Sequence, residues 1–418
     1  MKSPAHPLPP GSIAFMLMLG TLAALQASST TVTLPALPGI AEGLATTPAM
    51  AQYTISGFLL GVACGQILSG ALSDRYGRRP ILMAGLAIAV LTGIGCTFAN
   101  DIGLLIGLRL LQGFGAAASM ILSRAIIRDV FEGQQALRAM SNMSTVLGIV
   151  PMLGPPVAGL LLEHVSWRWI YGLLAVITTL VSIIAWHKLA ETLRTPNPAA
   201  TDPRRILANC LEMLRMPRSI GFIITAYVLY GGIFAYLALI PFIARDTFGL
   251  SSSMGGALVA ICAVSLWSGT IVNNRLIRHV SVRRMLRVST ALAVAAGCAA
   301  WLATQAVAGG WLGEAGRAST GLWIIVGPVM LFGLSFGMTQ SNCIVMSLQP
   351  LAHIAGTASA LGASVQTLCG ALGAWVASRL YDGTPAALGW CMLVAGTASF
   401  LMFTLVTAKH APGEIHPR

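Results

Sequence analysis

The chain has 418 residues, 56% of them apolar and only 9% charged. Soluble domains carry about 25% charged residues, and a soluble fold this apolar would expose large adhesive patches, so the composition points to the bilayer as solvent. The net charge of +12 would suggest nucleic acid in a soluble chain. Here the basic residues fall in short loops between apolar runs, with no aromatic-interleaved basic face, and no nucleic-acid partner is expected.

A spanning helix needs about 20 apolar residues at 1.5 Å rise each. That window predicts spans at 12–34, 51–72, 81–99, 103–126, 141–162 and 168–187, then at 219–243, 254–274, 285–305, 321–347, 356–378 and 388–408. The first follows Lys2 and a proline-rich leader. Its apolar run continues past Ala27 to Val32 and Leu34 without an A-x-A site, so it reads as a spanning helix and not a cleaved signal. Gln26 and Thr31 are its candidate polar contacts.

Between spans two and three stands GALSDRYGRRP, Gly70–Pro80. Gly77 permits a tight turn, Asp74 can accept from helix amides or pair with arginines, and Arg75, Arg78 and Arg79 supply positive charge. A generic basic loop is the plainer alternative. Span four places Arg109 near the far membrane face, with Gln112, Gly113, Ala116 and Met120 following at helical spacing. A buried Arg costs at least about 2.5–3.5 kcal/mol on insertion scales, so it needs a polar cavity, a partner, or a route to the headgroups by snorkelling. In span five, Gly148, Pro151, Pro155 and Gly159 recur at steps of three and four, with Gly154 beside them. Each Pro bends a helix, and a kinked, smooth face suits a gate between bundles, although mere packing would use the same residues.

The stretch 188–218 is polar, basic and proline-containing, and is expected to be a linker loop dividing the chain into bundles at 1–187 and 219–418. In the second bundle Tyr227, Tyr230, Gln340, Asn342 and Gln366 are candidate substrate contacts, each with helix-to-helix bonding as the alternative. Seven of the eight cysteines sit in apolar runs and Cys210 in the linker; no Cys/His spacing suggests a metal or cofactor. If the N-terminus is cytoplasmic, 20 of the 25 Lys and Arg fall on the inner side, four (Arg168, Arg245, Arg317, Arg379) on the outer, and Arg109 remains at depth. Both termini are therefore expected inside.

The loop after span two, the Arg-Gln-Gly run of span four and the Gly-Pro run of span five resemble the signature motifs of the major facilitator superfamily. SRAIIRDVF at Ser123–Phe131, SWRWIY at Ser166–Tyr171, LPALPGIA at Leu34–Ala41 and HIAGTASALGASVQ at His353–Gln366 narrow the resemblance to Bcr/CflA-type drug-resistance transporters. That resemblance implies a monomeric, all-α, twelve-helix transporter of the bacterial inner membrane. It would export drug-like molecules or metabolites by proton antiport, with no cofactor beyond the proton gradient. It implies a charge latch of Asp74, Gly77, Arg78 and Arg79, a cavity-lining Arg109 coupled to ion movement, an antiporter gate at Gly154 and Pro155, and a polar helix-ten position at Asn342. The family's helix-one Asp is replaced here by Thr31. All thirteen acids map to loops or span ends, which favours neutral or anionic substrates and leaves Asp74, Asp101 and Asp129 as fallback proton carriers. A uniporter or a nutrient importer is the alternative. A membrane-embedded enzyme is not expected, since no HExxH, GxSxG or intramembrane Asp pair occurs.

Overall fold

The computed structural model describes residues 7–311 and 320–409. Lys2, Glu314, Arg317, Glu414 and Arg418 lie outside the described residues. Twelve helices among those described are long and apolar enough to cross a membrane. They are α1 (Ile13–Thr31), α2 (Pro48–Tyr76), α3 (Arg78–Phe98), α4 (Ile102–Val130), α5 (Gly133–Leu162) and α6 (Trp167–Lys188), then α7 (Pro217–Phe242), α8 (Ser252–Leu276), α9 (Val282–Ala308), α10 (Leu322–Leu348), α11 (Ala355–Leu380) and α12 (Ala386–Lys409). The end of the molecule where α1 begins and α12 finishes is called proximal, and the opposite end distal.

Each predicted span contains one helix, and the differences lie at the ends. Pro35 and Pro38 cannot donate backbone hydrogen bonds, so α1 gives way to a tight turn at Leu34–Ala36 and a short helix at Leu37–Gly43. Helix starts are closed by side chains: Ser12, Thr47, Asp101 and Ser251 accept from the amides of Phe15, Met50, Leu104 and Met254. Span four runs four residues beyond its predicted end, to Val130. The expected linker loop is partly ordered, because Asp202 caps and Pro203 opens a helix over Pro203–Arg215. This linker helix exposes Leu207, Leu211 and Leu214 and buries Met213.

Lipid is as apolar as a leucine side chain, so membrane helices associate through close packing, and small residues set the approach. At the α2–α4 crossing, a Cβ on Gly113 would stand 2.9 Å from the carbonyl carbon of Phe58, and one on Gly61 would stand 2.8 Å from that of Leu110. Gly113 and Gly61 are thus the close-approach points of this pair.

The halves share one apolar core at the distal end, where Leu34, Leu37, Ile40 and Ile55 pack in one cluster with Leu229, Ile233, Leu237 and Ile240. At the proximal end the cores are separate. One holds Phe15, Leu82, Leu122 and Ile126 of the first half, and the other Phe222, Leu286 and Phe403 of the second, with Ile67 of α2 reaching it. Polar contacts reinforce the distal junction: Glu42 pairs with Arg245, and the Arg379 guanidinium lies 6.0 Å from the Tyr53 ring centroid. The molecule is thus closed distally and divided proximally.

Replacing Gly113 with Val should push α2 and α4 apart. The expected loss is about 2 kcal/mol, within the range for overpacked cores, seen as a lower thermal midpoint of the purified protein. An unchanged midpoint would show that the crossing can relax.

Candidate transport site

At the proximal end the loop motif is a hydrogen-bonded assembly. Gly77 adopts φ +105°, where a side chain would be strained and would also meet the Glu191 carboxylate at 2.5 Å. The Arg78 side chain bridges Asp74 and Asp129, donating from Nε to Asp129 at 2.8 Å. Arg79 donates to the Trp186 carbonyl at 2.7 Å, with its guanidinium 5.4 Å from that ring's centroid. Arg75 donates to Thr201 at 2.6 Å, and the Asn197 amide to the Asp74 carbonyl at 2.8 Å. Sequence reasoning missed Glu191. Its two carboxylate oxygens accept from the Arg78 and Arg79 amides at 2.9 and 3.1 Å, capping the start of α3. The signal was an acid just beyond span six, but nothing local tied it to a turn 113 residues away. The motif is therefore bound to the linker and α4 within the first half.

Arg109 is fully buried. One terminal nitrogen donates to Gln112 at 2.6 Å and the other to the Ser29 carbonyl at 2.9 Å, with Thr33 at 3.4 Å. Its guanidinium carbon lies 4.1 Å from the Phe58 ring centroid and 5.5 Å from that of Tyr171. No carboxylate faces it among the described residues. The charge is met by an amide, a carbonyl and two ring faces, an arrangement that supports a cation at membrane depth without an ion pair. In this state Arg109 does not open to the space between the halves.

The α5 motif forms the seam with α8. A Cβ at Gly148 would meet the Trp267 indole nitrogen at 2.9 Å, one at Gly159 would enter the Ser252 backbone, and Gly256 of α8 sits on the Pro155 carbonyl. Gly154 instead faces Val32, at 2.7 Å from such a Cβ. Pro151, Pro155 and Pro156 all lie inside the helix. The smooth face thus brings two backbones together across the halves, from the distal end to about mid-depth.

The remaining candidates divide. Asn342 donates to Asn273 at 2.6 Å and to the Met338 carbonyl at 3.1 Å, so it bonds α10 to α8. Thr31 donates to its own helix at Ala27. Tyr227, Tyr230, Gln340 and Gln366 make no side-chain hydrogen bond within the described residues, and Gln26 Oε1 is buried without one. Of the fallback acids, Asp74 and Asp129 hold Arg78, and Asp101 caps α4. Among the described residues no carboxylate lies deeper than the last turn of a spanning helix. Besides Arg109, three cations lie more than a turn inside a spanning helix: Arg124, six residues from the end of α4, and Arg138 and Arg287, five residues from the starts of α5 and α9.

Two six-helix halves that meet along kinked and glycine-faced helices define a membrane transporter. The Major Facilitator Superfamily model matches residues 19–374, and the chain belongs to that family. It is 27% identical to the bicyclomycin resistance protein homolog of Haemophilus influenzae, covering 95% of this chain and 96% of that protein. It is 25% identical to multidrug resistance protein D of Escherichia coli, covering 92% and 93%. Among solved structures, the inward-facing, unoccupied bacterial homolog of the human lysosomal transporter Spinster superposes with a TM-score of 0.72 at 15% identity. That match covers 98% of this chain and 100% of that one, a likeness of fold. As a member of this family the chain is a multi-pass inner-membrane protein carrying small molecules.

Two outcomes test this geometry. Because no charge is left behind, Arg109→Met should cost no more than the orphaned Gln112 amide, about 1–3 kcal/mol, while abolishing transport. Unfolding of the variant would contradict it. At the distal end, hydrogen bonds from Ser253 and Ser251 hold the Glu163 carboxyl below its ordinary range. A group with a depressed pKa stabilises the closed junction above its free-state value and loses that effect as pH falls through the depressed one. Distal opening, followed by solvent labelling of a cysteine placed at Ser252, should therefore rise on acidification and become pH-insensitive in Glu163→Gln.

Proposed function

We propose that this protein is a secondary exporter of drug-like small molecules or metabolites, driven by proton antiport through alternating access. The observation that carries the reading is the α5–α8 seam, where glycine faces and internal prolines give two backbones a smooth contact across the halves. Such a surface lets one bundle rock on the other about a central site. Similarity over nearly the whole chain to proteins named for bicyclomycin and multidrug resistance supports the outward direction and the substrate type.

The concentration of Lys and Arg at the proximal end supports placing that end, and both termini, in the cytoplasm. The division of the proximal cores then corresponds to a state receptive to cytoplasmic solute. Gln26, Tyr227, Tyr230, Gln340 and Gln366 are the proposed cavity residues, and the buried Arg109 with Gln112 is the proposed coupling pair. The Asp74–Arg78–Asp129 assembly is the proposed cytoplasmic latch, re-formed with each cycle. A single-bundle-pair monomer suffices for this cycle. The absence of a carboxylate at depth among the described residues favours one second reading, a uniporter or importer without proton exchange.

Uptake of chloramphenicol into everted vesicles separates the readings. Export by antiport predicts accumulation when an acid-inside gradient is imposed and loss of accumulation when the gradient is collapsed. Gradient-independent equilibration would favour the uniporter, and accumulation only in right-side-out vesicles would favour the importer.

A further inference from the structure

A cavity of about 640 Å³ opens on the distal face, and the transport cycle outlined above makes no use of it. Its walls come from both halves. The first supplies Pro38 and Glu42 from the connection between α1 and α2, and Trp167 and Arg168 from the start of α6; the second supplies Arg245 and Leu250 from beyond α7. The cavity therefore exists only while the distal junction is closed.

Two donors in its wall lack acceptors. Trp167 is 4% exposed and packs edge-to-face on Tyr171, ring centroids 5.9 Å apart, so its orientation is fixed. Its indole nitrogen has no hydrogen-bond partner. That edge of the ring faces two wall glycines: a Cβ on Gly43 would meet Nε1 at 2.6 Å, and one on Gly39 would meet Cδ1 at 3.8 Å. The bare surface at Gly43 is what leaves an acceptor a way to the N–H. Arg168 stacks on the same indole, its guanidinium carbon 4.3 Å from the ring centroid. One terminal nitrogen donates to the Ala99 carbonyl and to Asn100, both at 3.1 Å; its other nitrogens donate to no described residue.

The nearby acids are already engaged. Glu42 pairs with Arg245, and Glu163, on the neighbouring turn, is held by Ser251 and Ser253. Arg168 makes no ion pair with a described carboxylate, and the charged residues of the lining, two arginines and one glutamate, leave one positive charge over. A carboxylate accepting from Arg168 would form a charge-assisted bond, and a second acceptor oxygen would satisfy the indole. Pro38 and Leu250 offer apolar surface to a ring.

We propose that this cavity binds compact aromatic carboxylates arriving from the distal side, and that such a ligand holds the distal junction closed. Opening the junction takes the site apart, so a molecule that binds only the closed state shifts the equilibrium toward it. The bound molecule is thus a brake on the cycle and not its cargo. The effect on transport rests on the alternating-access reading; the binding does not.

1-Naphthoate and 1-naphthylmethylamine share a ring system and carry opposite charge, so they probe the site directly. Binding of each to the purified full-length protein, in nanodiscs of zwitterionic lipid, would be measured by titration calorimetry. The wild type should bind the carboxylate more tightly than the amine. Arg168→Gln should weaken naphthoate by roughly tenfold or more, the worth of one charge-assisted bond, and Trp167→Phe by a smaller factor. Leu250→Trp narrows the cavity from the other half without touching either donor, and should also abolish binding. If Arg168→Gln disturbs folding, Leu250→Trp carries the test. In everted vesicles, naphthoate loaded into the lumen should slow chloramphenicol accumulation severalfold for the wild type and not for Leu250→Trp. Naphthoate affinity indifferent to all three changes, or a wild-type preference for the amine, overturns the site. Binding that depends on Arg168 while luminal naphthoate leaves transport unslowed overturns the brake. A protein that binds naphthoate through Arg168 yet accumulates no chloramphenicol in its absence overturns the efflux reading alone.

Discussion

The bilayer core supplies no hydrogen bonds, so polar groups carried into it depend on the chain itself for partners. That constraint shapes the interior of this protein. Ser and Thr side chains turn back onto their own helices, as Thr178 does onto the Leu174 carbonyl at 2.7 Å and Ser123 onto Ser119 at 2.7 Å. Asn342 meets Asn273. Arg109 shows the constraint at its most demanding, because a whole charge is held by an amide, a backbone carbonyl and aromatic faces drawn from α1, α2, α4 and α6. Those contacts tie four of the six helices of the first half into one body.

A body held rigid in this way can move only as a unit. The distal core spans both halves, whereas the proximal cores belong to each half separately. The surfaces that must slide, on α5 and α8, are stripped of side chains at Gly148, Gly159 and Gly256. Among the described residues, polar contacts across the halves lie at the distal rim, where Glu42 meets Arg245 and Tyr381 donates to Asp246 within the second half nearby. Such rim contacts are exposed and individually weak. They can bias a two-state equilibrium without locking it.

Much of this was legible in the sequence because its cause is local. Twenty-residue apolar runs give spanning helices regardless of their neighbours, and the glycine and proline spacing of span five marks its seam face. The identity of Gly113 as a close-approach point also follows from residue size alone. What escaped is long-range or depends on helix ends. Glu191 became a cap only when the fold carried it to a turn far away in sequence. The linker helix was hidden because the stretch around it is polar, basic and proline-containing, though Asp202 followed by Pro203 was a start signal. The extension of α4 from residue 126 to Val130 likewise went unread.

The central claim is that the distal junction opens and closes during transport while each half stays intact. Cysteines at positions 42 and 245, in a background lacking the eight native cysteines, can be bridged by a bismaleimide of matching length and assayed for chloramphenicol accumulation in everted vesicles. Alternating access predicts that the bridged protein is inactive, while the same protein with each cysteine blocked singly still transports. Full transport with the bridge in place would show that the distal junction is a fixed seam and not a gate.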